Sequence, residues 1–213
     1  MSAREEVLSR IRAALGPDRP PVPETARDYR TTDDRPAAVL LDVLVDRLED
    51  YKATVLRCAP DAVAGTVSAA LDRGLGAGWT PTDVVVAPGV PEGWRPEGVP
   101  EDDGRPAVGL AAFAATVTGV AVAVAETGTL VLDGSPLTGR RALSLLPDCL
   151  VCVVEAAQVV GGVPEGLARL DPRAPLTLVS GPSATSDIEL QRVEGVHGPR
   201  TLVVVLVEDH RAT

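Results

Sequence analysis

Three short stretches bring together side chains able to hold an anion or move a proton. The first runs Ser180-Gly181-Pro182-Ser183-Ala184-Thr185-Ser186-Asp187-Ile188-Glu189. It reads as the exit of a buried strand into a helix whose first turn carries the capping pattern Ser186-x-x-Glu189. Unpaired N–H groups and the helix dipole make such a start a natural seat for phosphate or carboxylate. Candidate contacts there are Ser180, Gly181, Ser183, Ala184, Thr185, Ser186 and Asp187, with hydroxyl donors from Ser183, Thr185 and Ser186. The same residues also fit a capped helix behind a tight turn with no ligand, because Asp187 and Glu189 already supply negative charge at that end. The stretch matches neither the Gly-Lys-Ser/Thr of a Walker loop nor GxGxxG.

The second stretch, Ala125-Glu126-Thr127-Gly128-Thr129, sets a carboxylate and two hydroxyls at the turn between two apolar runs. Glu126 can serve as a general base or a carboxylate nucleophile if burial or neighbours shift it. Thr127, Gly128 and Thr129 would then be ligand contacts beside it; a turn acid facing water is the competing reading. In the third, Asp133-Gly134-Ser135-Pro136 precedes Gly139-Arg140-Arg141. Adjacent arginines after a glycine can clamp a phosphate or carboxylate, or simply pair with surface acids. His197, in the turn Gly195-Val196-His197-Gly198-Pro199, is a further candidate contact or a hydrogen-bonded turn residue.

Cys149 and Cys152 have C-x-x-C spacing but lie within an apolar run, where residues three apart on a strand point to opposite faces. One metal cannot take both without breaking the strand, so structural burial is expected. With His197 and His210 the two histidines and no metal-ligand spacing, the sequence predicts no metal site and no cofactor.

These residues must be held by an α/β frame. Ser2-Ala3-Arg4-Glu5 is a capping box, and Val7, Leu8, Ile11 and Leu15 continue at helical spacing until Gly16-Pro17. Four prolines within residues 16–35 make that stretch an extended linker. The expected organisation is therefore a helix with linker over 1–35 and an α/β domain over 36–213. Within the latter, helices are expected over 36–51, 60–73, 163–170 and 186–193. Strands are expected at 54–56, 83–87, 118–125, 129–132, 150–154, 177–179 and 202–207. The Glu126–Gly128 turn makes a hairpin of its two flanking runs. The fold class is an open, mostly parallel mixed sheet with helices on both faces.

Composition narrows the function. The chain has 213 residues, 45% hydrophobic and 23% charged, enough for a sizeable core. Thirty acids against twenty bases give a net charge of −10, which argues against nucleic acid and anionic membrane as partners. Five aromatic residues are too few for base-stacking platforms. No apolar run approaches the roughly 20 residues of a membrane span and no signal peptide is visible, so a cytoplasmic location without membrane insertion is expected. Three cysteines form no disulfide framework.

Taken in order, five segments resemble the LUD-domain family of lactate-utilization protein C. They are Ala125–Thr129, Gly139-Arg140-Arg141-Ala142-Leu143, Leu146-Pro147-Asp148, Ser180–Glu189 and Arg192–Pro199. The resemblance spans roughly residues 107–207. It implies a fold similar to the sugar-phosphate isomerase and CoA-transferase superfamily (NagB/RpiA/CoA-transferase-like), with a formyltetrahydrofolate cyclo-ligase-like topology. It also implies a part in bacterial L-lactate oxidation to pyruvate beside iron–sulfur companion proteins, with this chain as the non-redox component. The alternative is an enzyme or sensor of the same superfamily that recognises a small anionic ligand, phosphorylated or carboxylate. The family supplies no settled catalytic residues to carry over.

Overall fold

The computed structural model describes residues 2–16, 23–185, 193–194 and 198–208. The chain divides into two compact units, Met1–Arg30 and Thr31–Thr213. In the first, helix α1 (Ala3–Leu15) starts with the expected box. Glu5 N–H donates to the Ser2 hydroxyl, and Ser2 N–H donates to the Glu5 carboxylate.

The second unit runs α2 (Ala37–Asp50), β1 (Thr54–Cys58), α3 (Val63–Leu75), β2 (Val84–Val86), α4 (Ala107–Leu110), β3 (Ala115–Gly119), β4 (Val122–Val124), β5 (Thr129–Leu132), α5 (Arg141–Leu145), β6 (Cys149–Glu155), β7 (Val159–Val160), α6 (Val163–Ala168), β8 (Thr177–Val179), β9 (Ala184–Thr185), β10 (Val193–Glu194) and β11 (Thr201–Val207). The strands build two main sheets. One is five-stranded and wholly parallel, in the order β1-β11-β6-β3-β2. The other is four-stranded and mixed, in the order β7-β4-β5-β8.

The parallel sheet is buried on both faces, which is why its strands read as unbroken Val and Leu runs. Val63, Val67, Ala70 and Leu71 of α3 cover the face that carries Val151, Val153, Val203 and Val205. Leu40, Leu41, Leu44 and Leu48 of α2 cover the other, with Leu150, Val154, Leu202 and Leu206. Leu130 and Leu132 of β5 join that second core, so the mixed sheet packs beside α2 on the same side. The opposite face of the mixed sheet presents Val122, Val124, Val131 and Val160 toward Leu170 and Leu176.

The hairpin forms as expected. A 3-10 turn over Ala125–Thr127 ends on Gly128 at φ +59°, a left-handed position that favours glycine, and a Cβ there would also meet Arg47. The run expected at 118–125 divides at Gly119 between the two sheets. Two readings of the C-terminal part need correction. The strand before Ser180 is not buried: β8 is the edge of the mixed sheet, with Leu178 59% exposed. Nor does the expected helix reach Val193. Val193 and Glu194 pair antiparallel with Thr185 and Ala184, so the backbone there makes a two-stranded ribbon. The rest of that expected helix, 186–192, lies outside the described residues.

Cys149 and Cys152 lie as the strand periodicity requires. Cys149 enters the α3-side core and Cys152 the α2-side core, and burial pushes each thiol up to about 12.

Candidate functional site

Strand β5 and its two ends organise the described candidates. At its start, Thr127 Oγ1 lies 2.7 Å from Thr129 Oγ1, which lies 2.8 Å from Ser180 Oγ. Two stretches about fifty residues apart in sequence therefore meet in one row of hydroxyls. The pairing of β5 with β8 causes it: Leu130 faces Val179, so Thr129 and Ser180 come side by side. Thr129 is buried, while Thr127 and Ser180 open to solvent. Gly181 is buried against Tyr51 at the end of α2.

Glu126 sits on the same turn. Its N–H donates to the Gly161 carbonyl, and its carboxylate, 39% exposed, stands 3.6 Å from Arg35 Nη2. Arg35 is itself held by Asp33, Nε to Oδ1 at 2.9 Å and Nη2 to Oδ2 at 2.6 Å. Asp33 N–H donates to Glu165, which also accepts from Gly161 and Gly162 N–H. Desolvation raises the Glu165 carboxyl, but these three backbone donors outweigh it and hold the group below its ordinary range. Residues 31–35 therefore form a polar strap beside the Glu126 turn. Sequence reasoning missed Asp33 and Arg35 because they lie inside a Pro- and Thr-rich stretch; the Asp-x-Arg spacing was the available signal.

At the other end of β5, the chain from Asp133 to Arg140 crosses the carboxyl ends of β2 and β3. Gly89 N–H donates to Pro136 O and Gly119 N–H to Leu137 O. Gly119 lets the loop approach, since a Cβ there would stand 2.6 Å from Leu137. Carboxyl ends of parallel strands are where open α/β sheets place ligands. Asp133 Oδ1 knits the loop by accepting Ser135 N–H and Thr138 Oγ1–H, each at 3.0 Å.

Arg140 does not extend outward beside Arg141. It caps α5 in extended conformation and turns to the buried Asp102, with Nε 2.6 Å and Nη2 2.8 Å from the two carboxylate oxygens. Nη2 also donates to the Arg105 carbonyl at 2.6 Å. The Arg140 hydrogen bonds hold the Asp102 carboxyl below its ordinary range against desolvation. Arg141 is exposed and has no partner among the described residues. Both arginines line a pocket of about 160 Å³ with Leu132, Ser144, Pro175 and Thr177.

The hydroxyl row and this pocket are separate places. Along β5, Leu130 and Leu132 point into the α2-side core while Val131 points the other way, and Thr129 shares the Val131 face by period-two alternation. The two groups are thus on opposite faces of the mixed sheet and at opposite ends of a strand about 10 Å long. Glu126 and the arginines do not form one centre. Ser183 is held through its backbone, its N–H donating to Pro199 O at 2.8 Å. Ala184 and Thr185 are placed in β9 by their backbone. Ser186, Asp187 and His197 lie outside the described residues. Among the described residues no group of three or more His, Cys, Asp or Glu could hold a metal. Among them, too, no helix is long and apolar enough to cross a membrane.

Comparison with known proteins bears on the whole frame. The LUD domain family profile matches residues 94–207. Lactate utilization protein C of Deinococcus radiodurans is 39% identical over 212 residues, covering 96% of this chain and 95% of that one. Lactate utilization protein C 1 of Bacillus mycoides is 34% identical over 94 residues, 40% of each chain. The crystal structure of a duf162 family protein from Deinococcus radiodurans superposes with a TM-score of 0.67 at 35% identity, covering 82% of this chain and 99% of that one. With a profile match over more than half its length and a relative aligned almost end to end, the chain belongs to the LUD domain family.

Proposed function

We propose that this chain is the non-redox component of a bacterial L-lactate utilization system, acting with iron–sulfur partner proteins that carry the electrons from lactate to their acceptor. The place in lactate metabolism is supported by the relatives named lactate utilization protein C. The division of labour rests on one observation: the three thiols of the chain point away from any common centre. Cys152 lies in the core on one face of the parallel sheet, and Cys58 and Cys149 in the core on the other. Cys58 sits opposite Val207 and Cys149 opposite Thr201, at the two ends of β11. Six residue steps along β11, about 20 Å, separate them. Burial raises all three thiols, which disfavours the thiolates that ligate iron–sulfur clusters.

The test is affinity capture of the tagged full chain from its host grown on L-lactate, with identification and iron quantification of what co-elutes. Iron–sulfur proteins in stoichiometric amount are the expected result. A chain that elutes alone and free of iron overturns the partnership. Stoichiometric iron on the isolated chain overturns the division of labour.

A further inference from the structure

The pocket at the far end of β5 has the features of a ligand site that the partnership above does not require. It sits where the inner face of the mixed sheet ends against α5. Leu132 and Pro175 give it apolar walls, and Arg140, Arg141, Ser144 and Thr177 give it polar ones. Its volume of about 160 Å³ lies well below the roughly 300–1,000 Å³ of sites for drug-sized ligands. A nucleotide or coenzyme A does not fit inside; a molecule of a few heavy atoms does.

The charge is arranged for an anion. Asp102 neutralises Arg140 and, with the Arg105 carbonyl, fixes its guanidinium through Nε and Nη2. Nη1 makes no hydrogen bond among the described residues. The Arg141 charge is uncompensated there, in a protein of net charge −10. The Thr177 hydroxyl likewise has no hydrogen-bond partner among them. Ser144 donates to Arg141 O at 3.0 Å, which steadies the backbone beneath the arginine and leaves the serine oxygen as an acceptor. The site thus offers one net positive charge, further donors, and apolar surface on the remaining sides. A short carbon chain can use that apolar surface, whereas a fully hydrated tetrahedral anion gains nothing from it.

We propose that the pocket bounded by Leu132, Arg140, Arg141, Ser144, Pro175 and Thr177 binds a small monocarboxylate, its carboxylate on Arg141 and its carbon chain against Leu132 and Pro175. Asp102 is a positioning residue that holds Arg140 at the rim. The assignment rests on this pocket alone and stands whether or not iron–sulfur proteins bind the chain.

The experiment is calorimetric titration of the full chain with propionate and with L-lactate, with inorganic phosphate and coenzyme A as competitors. Saturable carboxylate binding is expected. Arg141→Ala should weaken it about 10- to 100-fold, the cost of one charge-assisted hydrogen-bonded contact. Thr177→Met, on an edge strand, should abolish it by filling the pocket. Thermal melts of both variants report that they are folded, and Arg73→Ala, an exposed arginine on α3, should leave binding unchanged. No saturable binding by the unaltered chain overturns the proposal. So does wild-type affinity in both pocket variants. Phosphate bound as tightly and with the same dependence on Arg141 overturns the carboxylate assignment, and competition by coenzyme A overturns the size argument.

Discussion

In the parallel sheet, β6 and β11 run side by side for seven residues, with helices or the second sheet over both faces. In the mixed sheet no strand exceeds four residues, β8 lies at an edge, and polar residues follow directly where β5 and β8 stop, at Asp133 and Ser180. Both sheets are rich in Val and Leu, yet the described candidates for chemistry gather mainly at the ends of the second. A strand covered on both faces carries few polar side chains, and the buried Thr116 hydroxyl of β3 finds no hydrogen-bond partner among the described residues, so the long parallel strands supply mainly rigidity. Short strands at an edge expose their ends, and there hydroxyls and guanidinium groups can be held by the frame and still meet solvent.

The sharpest way to break this comparison is to remove the same side chain from each sheet. Leu206 is fully buried between α2 and the parallel sheet, and Leu178 is 59% exposed on β8. Leu206→Ala should cost about 2–5 kcal/mol in urea denaturation, through lost burial plus a cavity. Leu178→Ala should fall within about 0.5 kcal/mol of the unaltered chain. Equal losses would mean that the mixed sheet is covered in solution.

A second, smaller effect separates rigid from adjustable polar groups. Arg140→Ala strips the buried Asp102 of its ion pair and should destabilise by about 1–3 kcal/mol at pH 6, less than for a fully buried pair because Arg140 is 36% exposed. The sign with pH follows from the depressed Asp102 carboxyl. Its contribution is fully present above the unfolded value, about pH 3.9, and is lost as pH falls through the lower folded value. The gap between the unaltered chain and Arg140→Ala should therefore narrow in urea melts as the pH is lowered from 6 through the carboxylate range. A gap that widens on acidification would show that Asp102 is not the group Arg140 serves.

Much of this frame was legible in the residues because period and burial are local properties. The Leu spacing in residues 37–50 and the Val runs at 84–86 and 201–207 mark their elements directly, and the strand period alone puts Cys149 and Cys152 on opposite faces. The division into two sheets was not legible, since the run from Ala115 to Val124 is made of strand-forming Val and Thr with Ala on both sides of Gly119. For the site, Thr127, Thr129 and Ser180 stood out singly by their hydroxyls, but nothing local told that the three would meet. Nor could spacing show that Arg140 and Arg141 diverge, because the partner that turns Arg140 is Asp102, 38 residues earlier in a proline-rich loop. Pairings made across long loops are written in the fold and not in any window of sequence.

The hydroxyl row gives the smallest effect and the finest test of whether the mixed sheet holds a site or only a polar edge. Thr129→Val keeps the shape and burial of the strand residue while removing the central oxygen. Thr127 and Ser180, both exposed, recover hydrogen bonds from water, so the stability loss should be about 1 kcal/mol. Ser180→Ala should cost no more, and the double variant should fall short of the sum, because each single change already breaks the 2.8 Å contact. Full additivity in urea denaturation would mean that the two hydroxyls do not meet. If the row is a polar edge only, carboxylate binding at Arg141 should be unchanged in Thr129→Val, since the two lie on opposite faces and ends of β5. A loss of that binding would join into one site what the geometry separates.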